Sequence, residues 1–419
     1  MRILLLNQTF YPDVVSTSQH ASDLAVALAA DGHQVTVVAS RRAYDDPTRR
    51  FPGCEVWKGV QILRVPCFGF GKTARWRRAL DYSSFLAACS RRLIFLPKFD
   101  VVLAMTSPPL ISFLAVLFTR LKGGEMVSWL MDLNPDEAIA AGWLAADSLT
   151  TQVLQYLLRY TLSNSKRIIV LDHFMKARVE AKDVPTSKLD VIPPWSHDPW
   201  VCFDPKGREA FRREWGLQEK FVIMYSGNHS SCHPLDTLLA AARRLAGRSE
   251  IAFCFAGGGT EFRKVRELAD RERLPNITCV PYQPLEKLSA SLSSADVHAV
   301  VMGDPFVGIV HPCKIYNILA LGIPVLYIGP SQSHVVDLLP DHARGSWAFA
   351  ARHGDVDTVV GHILTLAQSG SRRFEAPQLF AAQYSHNVLV QKMIDGLVCT
   401  GGEPSCPRIP ESSFPPVQS

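Results

Sequence analysis

Apolar residues recur along the chain in short uninterrupted runs, separated by stretches with helical spacing. "RILLLN" (2–7) is one such run, and "STSQHASDLAVALAADGH" after it repeats apolar positions every three to four residues. Ser16 to Ser18 are cap candidates for that helix and Gly32 its stop. "QVTVVAS" (34–40) is again apolar almost throughout. Strand, helix and strand, with strands apolar on both faces, predict a βαβ unit in a covered parallel sheet. Further strands are predicted at 60–65, 100–105, 125–132, 167–172 and 190–193. After the Pro-rich "PPWSHDPWVCFDP" (193–205) the alternation restarts, with strands at "FVIMYSG", "IAFCFAGGG", "ITCVPY", "VHAVVMG" and "IPVLYIG". The expectation is an α/β protein of two Rossmann-like, doubly wound domains, over 1–195 and 196–379, facing an interdomain cleft. An amphipathic helix follows within 380–399, and the Pro/Ser-rich 400–419 is expected to be a disordered tail.

Bulk composition narrows the class. A chain of 419 residues with 47% hydrophobic and 20% charged residues fits a soluble protein of two or three domains. No apolar run reaches the roughly 18–20 residues that span a bilayer, and "MRILLLNQTFYP" lacks the form of a signal peptide. The ten cysteines are scattered with no CxxC pair, so reduced thiols and a cytoplasmic location are expected. Net charge is +5, yet residues 41–98 hold thirteen Lys/Arg against four Asp/Glu, a surplus of nine. That segment contains "ARWRRALDYSSFLAACSRRLIFL" (74–96), which reads either as a basic amphipathic helix on an anionic membrane or as a core helix with a solvated face. Zinc-finger spacing, helix-turn-helix grammar and RNP aromatics are missing, so nucleic acid is not expected as a partner.

Three strand-end loops of the second half carry the candidate chemistry. They are "YSGNHSS", "AGGGTE" and "GDPFVGIVHPCK", each opening a helix. Glycine lets backbone amides approach a ligand, helix N-termini attract anions, and Lys314 adds a full positive charge, which together describe a diphosphate pocket. His229, Cys232 and His233 in "NHSSCH" allow a second reading, a zinc ligand set. Asp132, ending "VSWLMD", is the candidate acid/base group; a helix cap before "LNPDEAI" is the plainer reading. His311 stands either near the same diphosphate or in an exposed loop.

The strings "FYPDVVSTSQHASDLAVALAADGHQVTVVAS", "WLMDLNPDEAIAAG", "VIPPWSHD", "YSGNHSS", "FAGGGTE" and above all "PCKIYNILALGIPVL" resemble glycosyltransferase family 4, of the bacterial surface-polysaccharide type. The resemblance covers residues 1–397 and implies a GT-B fold and a retaining glycosyltransferase. Its donor would be a nucleotide sugar, expected to be UDP-linked, bound by the C-terminal domain. The acceptor would be a glycan or polyprenyl-diphosphate-linked sugar, with the protein at the inner face of the membrane. No cofactor is expected, nor a metal, since no DxD-type motif occurs. The resemblance assigns donor binding to Gly227, Asn228, His229, Gly257, Gly258, Tyr282, Gly308, Ile309, Lys314 and Asn317. It assigns catalysis to Asp132, His311 and Lys314, and the acceptor side to Thr17, Ser18 and Gln19. The final helix would cross back to the first domain. Ile309 and Asn317 occupy the two slots where the family has glutamates, Asn228–Ser231 replaces its Arg-x4-Lys pair, and Thr17-Ser18 replaces its Gly-Gly. Two other readings remain: a GT-B sugar-nucleotide epimerase, and a weakly active homologue that binds nucleotide sugar as a scaffold or regulator.

Overall fold

A computed structural model describes every residue except 45, 47, 72–74, 198–200, 371–372 and 399–419, so the tail expected at 400–419 lies outside the described residues. The first half folds around an eight-stranded sheet. Its strands are β1 (Arg2–Leu6), β2 (Gln34–Ser40), β3 (Cys54–Trp57), β4 (Val60–Val65), β5 (Val101–Ala104), β6 (Glu125–Trp129), β7 (Arg167–Val170) and β8 (Leu189–Val191). They lie in the order β3-β4-β2-β1-β5-β6-β7-β8, all parallel except β3. β1 and β5 are buried along almost their whole length, because helices cover both faces of the sheet.

The antiparallel edge strand β3 has a local cause. Lys58 and Gly59 both take positive φ (47° and 82°), which builds a two-residue hairpin turn into β4. With Val56 73% exposed, β3 carries no apolar run that would reveal it in the sequence. The helix Ser16–Ala30 begins at Ser16 itself, after Val15 and without a side-chain cap.

The second sheet has six parallel strands in the order β11-β10-β9-β12-β13-β14. They are β9 (Phe221–Asn228), β10 (Ile251–Gly258), β11 (Ile277–Val280), β12 (Val297–Val301), β13 (Val325–Ile328) and β14 (Ala348–Ala351). Strand order reverses between β9 and β12, and a ligand crevice is expected beyond the carboxyl ends at such a point.

The two halves meet through a continuous apolar seam. Cys232, Phe306, Ile309 and Val310 from the second half share one core with Leu130, Met131, Leu133 and Met175 from the first. Backbone contacts fix its register: Leu133 N–H donates to the Ile309 carbonyl at 2.9 Å, and Arg178 Nε to the Val307 carbonyl at 2.6 Å. Gly308 lies in this loop with φ +69°, and a Cβ there would sit 2.6 Å from the Phe174 carbonyl carbon.

The C-terminal segment is two helices rather than one. Glu375–Ala381 and the turn Ala382–Tyr384 belong to the second half, where Ala381 joins the core of β12 and β13. Ser385 is extended, and His386–Val398 then packs Leu389, Val390, Met393, Ile394 and Leu397 into the first half's core. The chain therefore passes between the halves twice. At the crossings, Ser196 N–H donates to the Tyr384 carbonyl at 2.9 Å.

Replacing Gly308 by alanine forces a Cβ against Phe174 and a strained positive φ. The expected cost is about 1–3 kcal/mol, read as a thermal midpoint several degrees lower. An unchanged midpoint would show that the loop does not bear on the seam.

Candidate active site

On the C-terminal side, the β9–β10 ladder continues through the pairs Gly227–Gly257 and Asn228–Gly258. Glycine is required at Gly257 and Gly259 (φ +138° and +130°), where a Cβ would overlap the carbonyls of Gly227 and His229 respectively. His229 N–H donates to the Gly258 carbonyl at 2.8 Å, and Glu261 N–H to the His229 carbonyl at 2.9 Å. The two loops are thus one rigid backbone platform. Tyr282 closes its edge, with Oη donating to the Gly258 carbonyl at 3.3 Å, while Asn228 stands exposed at the rim.

The His229 imidazole is buried, edge-on to Tyr225 and Phe262. Burial, reinforced by nearby Lys314, pushes its pKa down to about 3. It is therefore neutral, and its Nδ1–H donates to the Gly227 carbonyl at 2.8 Å. His229 holds the loop instead of bringing charge to a ligand. Nor do His229, Cys232 and His233 form a metal set among the described residues: the Cys232 thiol turns to Glu137, at 3.7 Å.

Charge in this pocket comes from Lys314, the first residue of the helix Lys314–Leu321. Part of its side chain reaches the surface, but its Nζ is buried and without a hydrogen-bond partner. That Nζ lies 3.5 Å from the Tyr225 ring centroid, and a Cβ on Gly227 would be only 3.6 Å from it. Burial lowers its pKa to about 7. His229 and His233 are both depressed to about 3, by burial first and then by this ammonium. Among the described residues no carboxylate is hydrogen-bonded to it. A buried, unpaired ammonium ringed by neutral groups is costly, and an anion is what would satisfy it.

Three residues expected at the donor are turned elsewhere. Asn317 Oδ1 accepts from His197 N–H at 2.8 Å, tying the helix to the connecting segment. The N–H groups of Ile309 and Val310 both go to the Phe306 carbonyl, and the Ile309 carbonyl goes to Leu133; that loop packs on the first domain because its side chains are apolar. His311 is neither exposed nor open to the Lys314 pocket. Its Nδ1 lies 2.8 Å from Asp172 Oδ2 and its Nε2 2.8 Å from Tyr316 Oη, both in the interior.

Across the cleft, Asp132 follows β6. Burial, then repulsion from Glu137, raises its pKa to about 8 against the opposing pull of Arg78. Tyr44 and Tyr82 share the electrostatic neighbourhood of Asp132 and Glu137, and Arg78 Nε donates to Tyr82 Oη at 2.7 Å. Arg78 therefore faces the acidic pair, not the outer surface of its helix. Cys313, next to Lys314, donates its thiol to the His311 carbonyl at 3.3 Å and lies within electrostatic reach of Ser16 and the Asp132 carboxylate, so the two sides meet here. Of the residues expected on the acceptor side, Thr17 pairs with Thr9 (3.2 Å), Gln19 with the Val14 carbonyl (2.8 Å), and Ser18 Oγ is buried without a partner. Sequence reasoning missed Glu137. Its signal was the further carboxylate five residues past Asp132, after Asp136, in the strand-end string "DLNPDE".

Comparison with known proteins supplies the class. Two facing Rossmann-like sheets with a strand-end cleft define the GT-B architecture, and residues 17–195 match the family described as a glycosyl transferase 4-like domain. The chain is 26% identical over 243 residues to the "Probable glycosyltransferase WbjE" of Pseudomonas aeruginosa, a match spanning 57% of this chain and 60% of that protein. It is 23% identical over 335 residues to WcaI of Escherichia coli K12, a glycosyl transferase named for colanic acid biosynthesis (77% of this chain, 82% of that one). The solved structure of Anabaena Alr3699/HepE with UDP-glucose superposes with a TM-score of 0.69 at 14% identity, covering 95% of this chain and all of that one. Residues 17–195 thus resemble a glycosyl transferase 4-like domain, and the chain is similar along most of its length to glycosyltransferases.

If the Lys314 ammonium awaits an anion, Lys314→Met should abolish the thermal shift given by UDP. The same variant should leave the ligand-free protein as stable as the wild type or more so. Its gain should be greatest below about pH 7, where the folded wild type must keep the buried charge. A normal UDP response in the variant would rule Lys314 out of the donor pocket.

Proposed function

We propose that this protein transfers a sugar from a nucleoside-diphosphate donor, UDP-linked, to a hydroxyl of a glycan or polyprenyl-diphosphate-linked acceptor in polysaccharide synthesis. The observation that carries the reading is the unpaired Lys314 ammonium beside the Gly227/Gly257–Gly259 platform. Supporting it are the UDP-glucose complex of a protein with this fold and the colanic acid assignment of WcaI. Retention of configuration and independence from metal follow from the family resemblance.

In this mechanism the glycosidic bond to the acceptor oxygen forms as the bond from the sugar to the β-phosphate breaks. Negative charge grows on the departing diphosphate, and Lys314 with the platform amides stabilises it. Asp132 orients the acceptor hydroxyl and takes its proton. With a pKa of about 8, Asp132 must first be ionised, so kcat should rise as pH climbs through that value. Glu137 keeps the pKa high and Arg78 limits the rise.

The decisive assay follows UDP release from UDP-sugars with and without polyprenyl-diphosphate-linked glycan. Acceptor-dependent release is expected, and Asp132→Asn should lower it about 100-fold or more and remove the rising pH limb. Release without acceptor, or reversible isomerisation of the donor, would favour the epimerase reading. Donor binding without turnover would favour the scaffold.

The acceptor's lipid calls for a membrane contact. No described helix is long and apolar enough to cross a bilayer. The helix Arg75–Ile94 instead exposes Trp76 (60%), Ile94 (62%) and, just beyond it, Phe95 (75%), beside the exposed Arg91 and Arg92. Aromatic and aliphatic side chains flanked by arginines suit the interface of an anionic leaflet. Arg91→Glu with Arg92→Glu should reduce co-sedimentation with phosphatidylglycerol vesicles by about tenfold. Unchanged co-sedimentation would remove this contact.

A further inference from the structure

Asp172, His311 and His334 converge in the interior where the two domains meet. Asp172 caps the helix His173–Glu180 of the first domain, while His311 and His334 follow β12 and β13 of the second. All three are buried, at 6%, 7% and 3% exposure. Asp172 Oδ2 lies 2.8 Å from His311 Nδ1 and 3.5 Å from His334 Nδ1, and one ligand atom from each residue falls within 4.8 Å of the others. The imidazoles stack at 3.7 Å between centroids, inclined by 18°.

A plain hydrogen-bond network does not account for this cluster. Asp172 and Tyr316 satisfy both nitrogens of His311, but His334 has neither nitrogen hydrogen-bonded. Both nitrogens of a buried imidazole normally find partners.

We propose that Asp172 Oδ2, His311 Nδ1 and His334 Nδ1 bind one first-row divalent cation of the zinc class, bridging the two domains. Two neutral imidazoles and one carboxylate are a typical donor set for such an ion. Metal–ligand bonds of roughly 2.0–2.2 Å place tetrahedral ligands about 3.3 Å apart, between the two separations from Asp172 Oδ2; for both Nδ1 lone pairs to meet at one ion, the stacked rings must splay apart. The outer contacts are those that orient metal ligands. His311 Nε2 faces Tyr316 Oη at 2.8 Å, and Asp172 Oδ1 accepts from Met175 N–H at 2.7 Å. For His334 the ion would satisfy Nδ1, while Nε2 has no hydrogen-bond partner among the described residues. The ion is structural. It clamps the domains and takes no part in sugar transfer, so the site stands or falls apart from the donor assignment.

The test uses untagged full-length protein, stripped with chelator and desalted. One zinc per chain should be retained after reloading, with a thermal midpoint several degrees above the stripped protein. His334→Ala and Asp172→Asn should lose both effects. Retention by His334→Ala equal to wild type, or well under one zinc per wild-type chain, would overturn the proposal. Should a variant fail to fold, wild-type protein with cobalt(II) decides: intense four-coordinate visible bands support the site, and the pale spectrum of the hydrated ion refutes it.

Discussion

The cleft is organised by one electrostatic constraint, the ammonium of Lys314 held away from water without a counter-charge. Its surroundings follow from it. The Tyr225 ring offers its π face, the one partner this cation finds among the described residues, and the nearby imidazoles of His229 and His233 stay neutral. Neutral His229 can then spend its Nδ1–H on the Gly227 carbonyl, which holds the loop against the glycines of the next strand. Positive charge is concentrated at one atom while rigidity is spread over the backbone. Such an arrangement suits an anionic ligand.

On the opposite wall the polarity is reversed. Asp132 and Glu137 repel one another in a half-buried site, and Arg78 offsets only part of that repulsion. The Cys232 thiol reaches Glu137 from one domain to the other, and Cys313 lies within electrostatic reach of Ser16 and Asp132. The site is thus not a property of either sheet. It exists because the 303–311 loop brings the halves together through Leu133 and Gly308.

Much of the fold was legible in the sequence because parallel strands buried on both faces must be apolar throughout. β3 and β14 escaped for the complementary reason: one is an exposed edge strand and the other is "AFAA", with a single bulky residue. That the loop glycines and Lys314 lie together could be expected from sequence because their chemistry is local. Asn317, Ile309 and His311 could not, since their partners are His197, Leu133 and Asp172, far away in the chain. Polar side chains near a ligand loop look alike in sequence, whether they face the ligand or the neighbouring domain. Glu137 illustrates the converse, a carboxylate that gains meaning only once Asp132 is seen beside it.

The paired crossings between the domains carry a mechanical consequence. Ser196 on the outward segment and Tyr384 on the return segment are hydrogen-bonded side by side, and Asn317 fastens the outward segment to the wall of the cleft. A body hung from two adjacent pivots keeps one easy rotation, about the line joining them, and resists twisting and sliding. The paired crossings thereby restrain the relative placement of the walls that carry Lys314 and Asp132.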